Sequence, residues 1–191
     1  MQFLIDLWLP IVLSAVLVFV ASSVLWMATP LHKGDYSPPP DENDIQTALK
    51  KHNFGPGMFY IPWCKGGHGN AAKDPEYQRK MAEGPWVLLM VPQSRPSFGN
   101  TLGRWFINQV ILAVLIAYAV HAAVTLAPAR PEYLRLFQIV GGIAILAHGG
   151  MAAHDTMWKG LSFRHTIVKL VDAAVYSAIT AGCFAGFWPK H

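Results

Sequence analysis

Four long apolar runs constrain this chain of 191 residues more than any other feature. The runs are Phe3–Met27, Trp105–Leu126, Leu134–Met157 and Val168–Trp188, and each contains more than 20 residues. A bilayer's hydrocarbon core is about 30 Å thick and an α-helix rises about 1.5 Å per residue, so about 20 apolar residues cross it. The runs lack the polar and apolar alternation of membrane β-strands. The sequence therefore predicts an all-α membrane protein with four transmembrane helices.

The charge content supports a membrane protein over a soluble one. Only 14% of the residues are charged, whereas a soluble domain usually carries about 25%.

The first run has a second interpretation, a secretory signal peptide, which has a basic start and an apolar stretch of about 7–15 residues. Residues 1–6 contain no Lys or Arg, and the run is longer than that stretch. We therefore expect a retained anchor helix.

The runs divide the chain into three predicted segments. Residues 1–29 form an anchor helix, residues 30–104 a polar segment, and residues 105–191 a bundle of three transmembrane helices. Turn, capping and alternation signals in the polar segment predict a small α+β insertion. Its predicted elements are a short helix opening after Asp41, a short helix over Glu76–Ala82, and short strands over Gly57–Trp63 and Pro85–Val91.

Basic residues near the helix ends are unevenly distributed between the two sides. Six lie on the side of the polar segment: Lys33, Arg95, Arg104, Lys159, Arg164 and Lys169. Three lie on the opposite side: Arg130, Arg135 and Lys190. Because Lys and Arg are enriched in cytoplasmic loops, we expect residues 30–104 in the cytoplasm and both termini on the outer side of the membrane. The net charge of +4 is then explained by topology and not by nucleic-acid binding.

Ionisable residues within the apolar runs are the first candidates for function, because burying them in a membrane is costly. The third run contains His148, His154 and Asp155, and the fourth contains Asp172. We expect Asp155 or His154 to meet Asp172 or Arg164 in a polar cluster near the cytoplasmic rim. One interpretation of this cluster is a proton or quinone site built from His148, Asp155 and Asp172. The other is a structural cluster that locks the helices together.

Two further groups of residues contain side chains that bind cofactors or metals in other proteins. A haem held by two histidines needs them at matching depth, but His121 and His148 differ by roughly 8–10 Å of helix rise. Cys64 and His68 are four residues apart in a glycine-rich loop, but zinc prefers about four ligands. They remain a weak candidate for a metal site. No cofactor is predicted, and a quinone or a lipid is kept as a candidate ligand.

Small residues recur at helical spacing in the fourth run. Gly182 and Gly186 form a Gly-x-x-x-Gly motif, which Ala178 extends by one turn. Small residues at this spacing allow two helix backbones to approach closely. Packing within this chain and contact with another subunit both explain the motif.

The polar segment contains five short motifs. They are His32-Lys33-x-Asp35-Tyr36, Pro40-Asp41-Glu42, Gly57-Met58-Phe59-Tyr60-Ile61-Pro62-Trp63-Cys64, Lys73-Asp74-Pro75 and Gly84-Pro85. With the layout of one anchor helix, a polar segment and three further helices, they resemble a group of uncharacterised bacterial four-span inner-membrane proteins. The resemblance covers nearly the whole chain. It implies a location in the bacterial inner (plasma) membrane and implies no activity.

The sequence contains no recognised catalytic motif, and this absence contributes to the functional expectation. It has no P-loop, paired-carboxylate site or nucleophile elbow, so we lean away from an enzyme. We expect an accessory or structural subunit of a larger membrane complex, or a homo-oligomer, with lipids and other membrane subunits or itself as partners. The alternative is a small transporter or a protein that handles protons or a quinone through His148, Asp155 and Asp172.

Overall fold

The computed structural model describes residues 2–125 and 131–189, and the structural statements below concern that part of the chain. Arg130 and Lys190, which entered the charge comparison, and Leu126, the expected end of the second run, lie outside it. The elements in chain order are α1 (Gln2–Asp6), α2 (Trp8–Ala28), α3 (Glu42–His52), β1 (Gly57–Ile61), a 3₁₀ helix (His68–Lys73), α4 (Pro75–Glu83), β2 (Val87–Val91), α5 (Phe98–Thr125), α6 (Tyr133–Gly149), α7 (Ala152–Lys159) and α8 (Phe163–Gly186).

Four segments of the described chain are long and apolar enough to cross a membrane. They are Trp8–Ala28, Phe98–Val124, Tyr133–Lys159 and Phe163–Gly186. With the small two-stranded sheet, they confirm the predicted fold class, an all-α membrane protein with a small α+β insertion. α5 begins at Phe98, a full two turns before the apolar run that predicted it.

The chain separates into two compact units, with the breaks between Ser37 and Pro38 and between Ser97 and Phe98. We call the unit that contains the four spanning segments the membrane unit, and residues 38–97 the insertion. In the membrane unit, α6 and α8 form the most extensive helix pair, and α2 packs against both α5 and α8.

The α6–α8 contact is close because small residues lie on both helices. A Cβ added at Gly149 of α6 would lie 2.7 Å from the Cβ of Ala173, and one added at Gly141 would lie 3.7 Å from that of Ala181. The buried small residues of α8 recur at every fourth position: Ala173, Ser177, Ala181 and Ala185. This stripe allows the two backbones to approach.

The third spanning segment is divided into α6 and α7, where the sequence predicted one uninterrupted helix. The break lies at Gly150 and Met151. A Cβ added at Gly150 would lie 2.6 Å from the carbonyl oxygen of Leu146, so this position requires glycine. After the break, the hydroxyl of Thr156 on α7 accepts a hydrogen bond of 2.6 Å from Thr166 on α8. The break therefore leaves α7 in contact with the same helix as α6.

The insertion folds around an antiparallel pair of strands. The register runs from Gly57 opposite Val91 to Ile61 opposite Val87. The predicted capping is observed, because the Asp41 side chain accepts from the N–H of Asp44 at the start of α3. The two predicted helices and two predicted strands of this segment are all present, with shifts of one or two residues at their ends.

Candidate functional site

The loop that follows α2 folds back towards the last turn of that helix. The Thr29 hydroxyl donates to a carbonyl of the last turn of α2 (2.6 Å) and accepts from the N–H of Leu31 (3.3 Å). A turn follows, in which the N–H of Asp35 donates to the carbonyl of His32 (3.1 Å). The His32 ring consequently stacks on Trp26 of α2, with ring centroids 4.0 Å apart and planes 9° apart.

The imidazole of His32 lies between two carboxylates. Its Nδ1 is 2.7 Å from Oδ2 of Asp35, three residues later in the same loop. Its Nε2 is 3.2 Å from Oδ1 of Asp172 on α8. The three side chains are only 3%, 2% and 6% exposed, respectively. The loop is thus joined to α8 by a buried chain of hydrogen bonds.

Two basic residues of α8 complete this group. Nη1 of Arg164 donates to Oδ1 of Asp35 (3.1 Å), and Nη2 donates to a backbone carbonyl of the loop (2.7 Å). Nζ of Lys169 lies 3.9 Å from Oδ2 of Asp172 and 4.6 Å from the ring centroid of Trp26, a cation–π geometry. We call the following five residues the His32 cluster: His32, Asp35, Arg164, Lys169 and Asp172.

The charged neighbours of Asp35 determine its protonation state. Burial by itself raises the pKa of Asp35, but the hydrogen bonds from His32 and Arg164, together with the charges of His32 and Lys169, outweigh burial. The pKa of Asp35 therefore lies below the ordinary value of an aspartic acid. Asp35 is a carboxylate at neutral pH.

Hydrogen-bond chemistry requires an additional proton in this cluster. A neutral imidazole has one N–H donor, and an ionised carboxylate can only accept. Both ring nitrogens of His32 contact a carboxyl group. Either His32 is an imidazolium or one of the two carboxyl groups is protonated. Because Asp35 is ionised, the exchangeable proton is shared between His32 and Asp172.

A partly open cavity of about 330 Å³ lies against one side of this cluster, within the membrane unit. Its apolar wall includes Trp26, Phe98, Leu102 and Trp105. Its polar wall includes His148, Lys169 and Asp172. The cavity thus combines aromatic and aliphatic surface with a few ionisable groups, the arrangement typical of a site for a small organic molecule.

His148, in the last turn of α6, forms a second polar position in the wall. Its ring packs edge-to-face on that of Tyr176, with centroids 5.5 Å apart. His148 also lines a narrow crevice that contains Gln109 of α5. Nε2 of Gln109 is buried and has no hydrogen-bond partner among the described residues. Buried polar atoms are normally paired, so this donor marks a further polar position near His148.

The structure brings together only part of the predicted polar cluster. His148 and Asp172 line one cavity. Asp155 instead pairs with Lys159 on its own helix, at 2.9 Å, with about half of its side chain exposed. His154 is exposed and lies near Trp158 on the same helix. The expected meeting of Asp155 or His154 with Asp172 or Arg164 is replaced by the contacts of His32 and Asp35, because the loop after α2 occupies that side of α8.

The Cys64 loop of the insertion has a different environment. Cys64 is buried, with its Sγ 3.9 Å from Oδ2 of Asp74. The side chain of His68 lies outside the described part of the structure. Among the described residues, no group of three or more His, Cys, Asp or Glu side chains has the geometry of a metal site.

The Gly-x-x-x-Gly motif of α8 lies away from the helix contacts of the membrane unit. Ala178 and Gly186 are exposed and Gly182 is half-buried. A Cβ added at Gly182 or Gly186 would meet none of the described atoms within 4 Å. Packing within the described chain runs through the stripe from Ala173 to Ala185 instead.

The central residue of the site, His32, is not among the site residues that the sequence predicts. Its contacts with Trp26, Asp35 and Asp172 are not predicted either. One local signal was available, because His32 and Asp35 are three residues apart directly after an apolar run that ends in an aromatic residue. The contact with Asp172 spans 140 positions of the sequence, so spacing alone does not indicate it.

The fold and the site define a class of protein, a multi-pass α-helical membrane protein with a buried ionisable cluster beside a partly open cavity. Comparisons with protein-family models, with curated proteins and with solved structures found no significant match to this chain.

Proposed function

We propose that this protein binds a small amphipathic molecule from the bilayer in the cavity beside the His32 cluster and holds an exchangeable proton against it. The observation that carries the proposal is the shared wall: Asp172, which shares that proton with His32, also lines the cavity. This proposal develops the alternative of proton or quinone handling. It keeps His148 and Asp172 and replaces Asp155 with His32.

The distribution of polarity supports this function over a purely structural cluster. A cluster that only locks helices together needs no adjoining space. Here the cavity wall is largely apolar and includes Trp26 and Trp105. Its ionisable groups are limited to His148, Lys169 and Asp172. Such sites bind through apolar contact and orient their ligand through a few polar groups.

A photoreactive probe tests whether the cavity binds amphipathic molecules. The purified full-length protein in nanodiscs is irradiated with a decanol that carries a diazirine, and the labelled peptides are mapped by mass spectrometry. We expect the label to concentrate in the segments that contain Trp26 and Leu102, because both residues line the cavity.

Two substitutions on α5 make the labelling experiment specific. Leu102→Trp fills the cavity and is expected to reduce labelling severalfold. Leu115→Trp is the matched control, because Leu115 is on the same helix but is 56% exposed. Uniform labelling of all apolar surfaces, or equal labelling of the two variants, contradicts the proposal.

A second candidate function, supported by a separate observation, is that of an accessory subunit of a larger membrane complex or of a homo-oligomer. In the motif of Ala178, Gly182 and Gly186, the first and last residues are exposed, and there is open space beside both glycines. In a bilayer, such a stripe allows the close approach of another helix. The two functions are compatible, because the stripe residues do not line the cavity.

Substitution of the middle glycine of this motif tests the second function. Gly182→Leu is expected to remove the assembled species in cross-linking and native mass spectrometry of the protein in mild detergent. Gly142→Leu is the matched control, because a Cβ added at Gly142 of α6, like one added at Gly182, would meet none of the described atoms within 4 Å. A monodisperse wild-type monomer with no co-purifying protein is evidence against this function.

We also propose a location in the bacterial inner membrane, with residues 30–104 in the cytoplasm and both termini in the periplasm. The charge asymmetry and the sequence resemblance support it. Reporter fusions at the two ends are expected to be active in the periplasm. Reporters on opposite sides, or cleavage of the insertion by protease added to intact spheroplasts, contradict this orientation.

A further inference from the structure

We propose that the molecule bound in the cavity is a quinone, with its ring between the His32–Asp172 pair and His148. This inference rests on the proposed function, since it names the class of molecule that the cavity takes. It concerns binding of the ring, and no electron transfer is assigned to the protein.

Two polar positions in the cavity wall match the two carbonyl oxygens of a quinone ring. Asp172, with the Lys169 ammonium 3.9 Å from its Oδ2, is one position. His148 is the other, and its ring packs on Tyr176, four residues after Asp172 on α8. The two positions belong to different helices, α8 and α6, and line the same cavity, so a ring with oxygen atoms at opposite ends can lie between them.

The charges of the cluster disfavour an anionic lipid or a fatty acid. The only cation that lines the cavity in the described chain is Lys169, and it already lies near Asp172 and over the Trp26 ring. A ligand carboxylate or phosphate beside Asp172 is repelled when the shared proton lies on His32, because Asp172 is then an anion. A neutral carbonyl avoids this repulsion and can accept a hydrogen bond from the ammonium group of Lys169, which lines the cavity beside Asp172.

The apolar walls favour a flat ring over a single alkyl chain. Trp26 and Trp105 both line the cavity, and the Trp105 Nε1–H is already used in a hydrogen bond of 2.8 Å to Ser22. The Trp105 indole therefore offers apolar ring surface to the cavity, against which another ring packs favourably. Because the cavity is partly open, an isoprenoid or alkyl tail on the ring has a route into the bilayer.

Competition against the photoreactive decanol tests the class of ligand. Decylubiquinone is expected to suppress labelling of the Trp26 and Leu102 segments at lower concentrations than decylbenzene, which lacks carbonyls, or decanoate, which carries a charge. Equal competition by the three compounds, or stronger competition by decanoate, overturns the quinone proposal and leaves the proposed function standing. Failure of the decanol itself to label the cavity overturns both.

Variants at the two polar positions complete the test. Asp172→Asn and His148→Leu are each expected to weaken competition by decylubiquinone about tenfold, which corresponds to about 1.4 kcal/mol. Competition by decylbenzene is expected to change little. Asp155→Asn and His154→Leu are the matched controls, because both residues are outside the cavity lining.

Thermal unfolding shows whether each variant is folded before it is compared. If Asp172→Asn does not accumulate, His148→Leu still tests the position of the ring. His148 is not one of the five residues of the His32 cluster, so its replacement leaves the contacts between the loop after α2 and α8 in place. Unchanged competition by decylubiquinone in a folded His148→Leu protein overturns the proposed position of the ring.

Discussion

At the scale of single residues, His32 connects the loop after α2 to α8. Its two ring nitrogens contact Asp35 and Asp172, and all three side chains are buried. An ionised group buried without partners costs several kcal/mol, whereas paired and hydrogen-bonded charges offset that cost. The role of each residue therefore depends on the others, and removal of one leaves charge that is not compensated.

Removal of the Asp35 carboxylate is the first test of this dependence. Asp35→Ala is expected to lower the free energy of unfolding by about 3–5 kcal/mol, the range for breaking a buried ion pair. Asp155→Ala, which removes a carboxylate from a half-exposed pair, is expected to cost only about 0–1 kcal/mol. Unfolding of both proteins in mixed micelles measures the difference, and equal losses contradict the buried pairing.

The lowered pKa of Asp35 predicts how stability depends on pH. A carboxyl group with a lower pKa in the folded state stabilises the fold above its ordinary pKa of about 3.9. That contribution is lost as the pH falls through the still lower pKa of the folded protein. We expect wild-type stability to begin to fall near pH 5 and to lose most of this contribution below about pH 3.9, as measured by thermal unfolding in a non-ionic detergent.

The Asp35→Asn protein is the control for this pH dependence, because other carboxyl groups also titrate in the same range. It is expected to be less stable at pH 7 and to lose less further stability on acidification. Parallel pH profiles for the two proteins show that Asp35 has no special contribution.

At the scale of elements, the α6–α8 pair depends on one glycine. A Cβ at Gly149 would lie 2.7 Å from the Cβ of Ala173, which is closer than van der Waals contact. Gly149→Ala is therefore expected to destabilise the protein by about 1–3 kcal/mol through overpacking. Gly142→Ala, at an open position of the same helix, is expected to be neutral or slightly stabilising. Thermal unfolding of the two variants measures the contrast.

The elements also show which local signals in the sequence are reliable. Asp41 and Asp74 cap α3 and α4 at the positions where capping residues are expected. These predictions succeed because capping, turns and strand alternation involve neighbouring residues. The break at Gly150 was missed, since two adjacent glycines in an apolar run are compatible with either a continuous or a divided helix.

At the scale of the whole molecule, the insertion exposes an apolar strand surface. Met58 and Tyr60 of β1, with Met90 of β2, are 64%, 42% and 61% exposed. Alternate residues of a strand share one face, and the strand register places Met58 opposite Met90. Phe59 points to the other face, where its ring contacts Phe54 at 4.9 Å. An apolar surface of this kind often marks a site of protein or membrane contact.

Met90→Glu tests whether this exposed strand surface contacts a partner, because the substitution is expected to change the surface without destabilising the insertion. Because the side chain is exposed, the change in unfolding free energy is expected to stay within about 0.5 kcal/mol. Assembly of the protein in mild detergent, followed by native mass spectrometry, is expected to decrease if this surface contacts a partner. Unchanged assembly shows that the surface is not used there.

The sequence by itself determined the number of spanning segments and the local elements of the insertion. The length of an apolar run and the presence of a capping residue are properties of one segment, so they can be identified without knowledge of the fold. Only the tertiary structure decided which ionisable residues meet. His32 and Asp172 are 140 positions apart, and their contact depends on how the loop after α2 turns back and how α2 packs on α8. Of the two small-residue stripes on α8, likewise, helix packing alone selects the one that is buried.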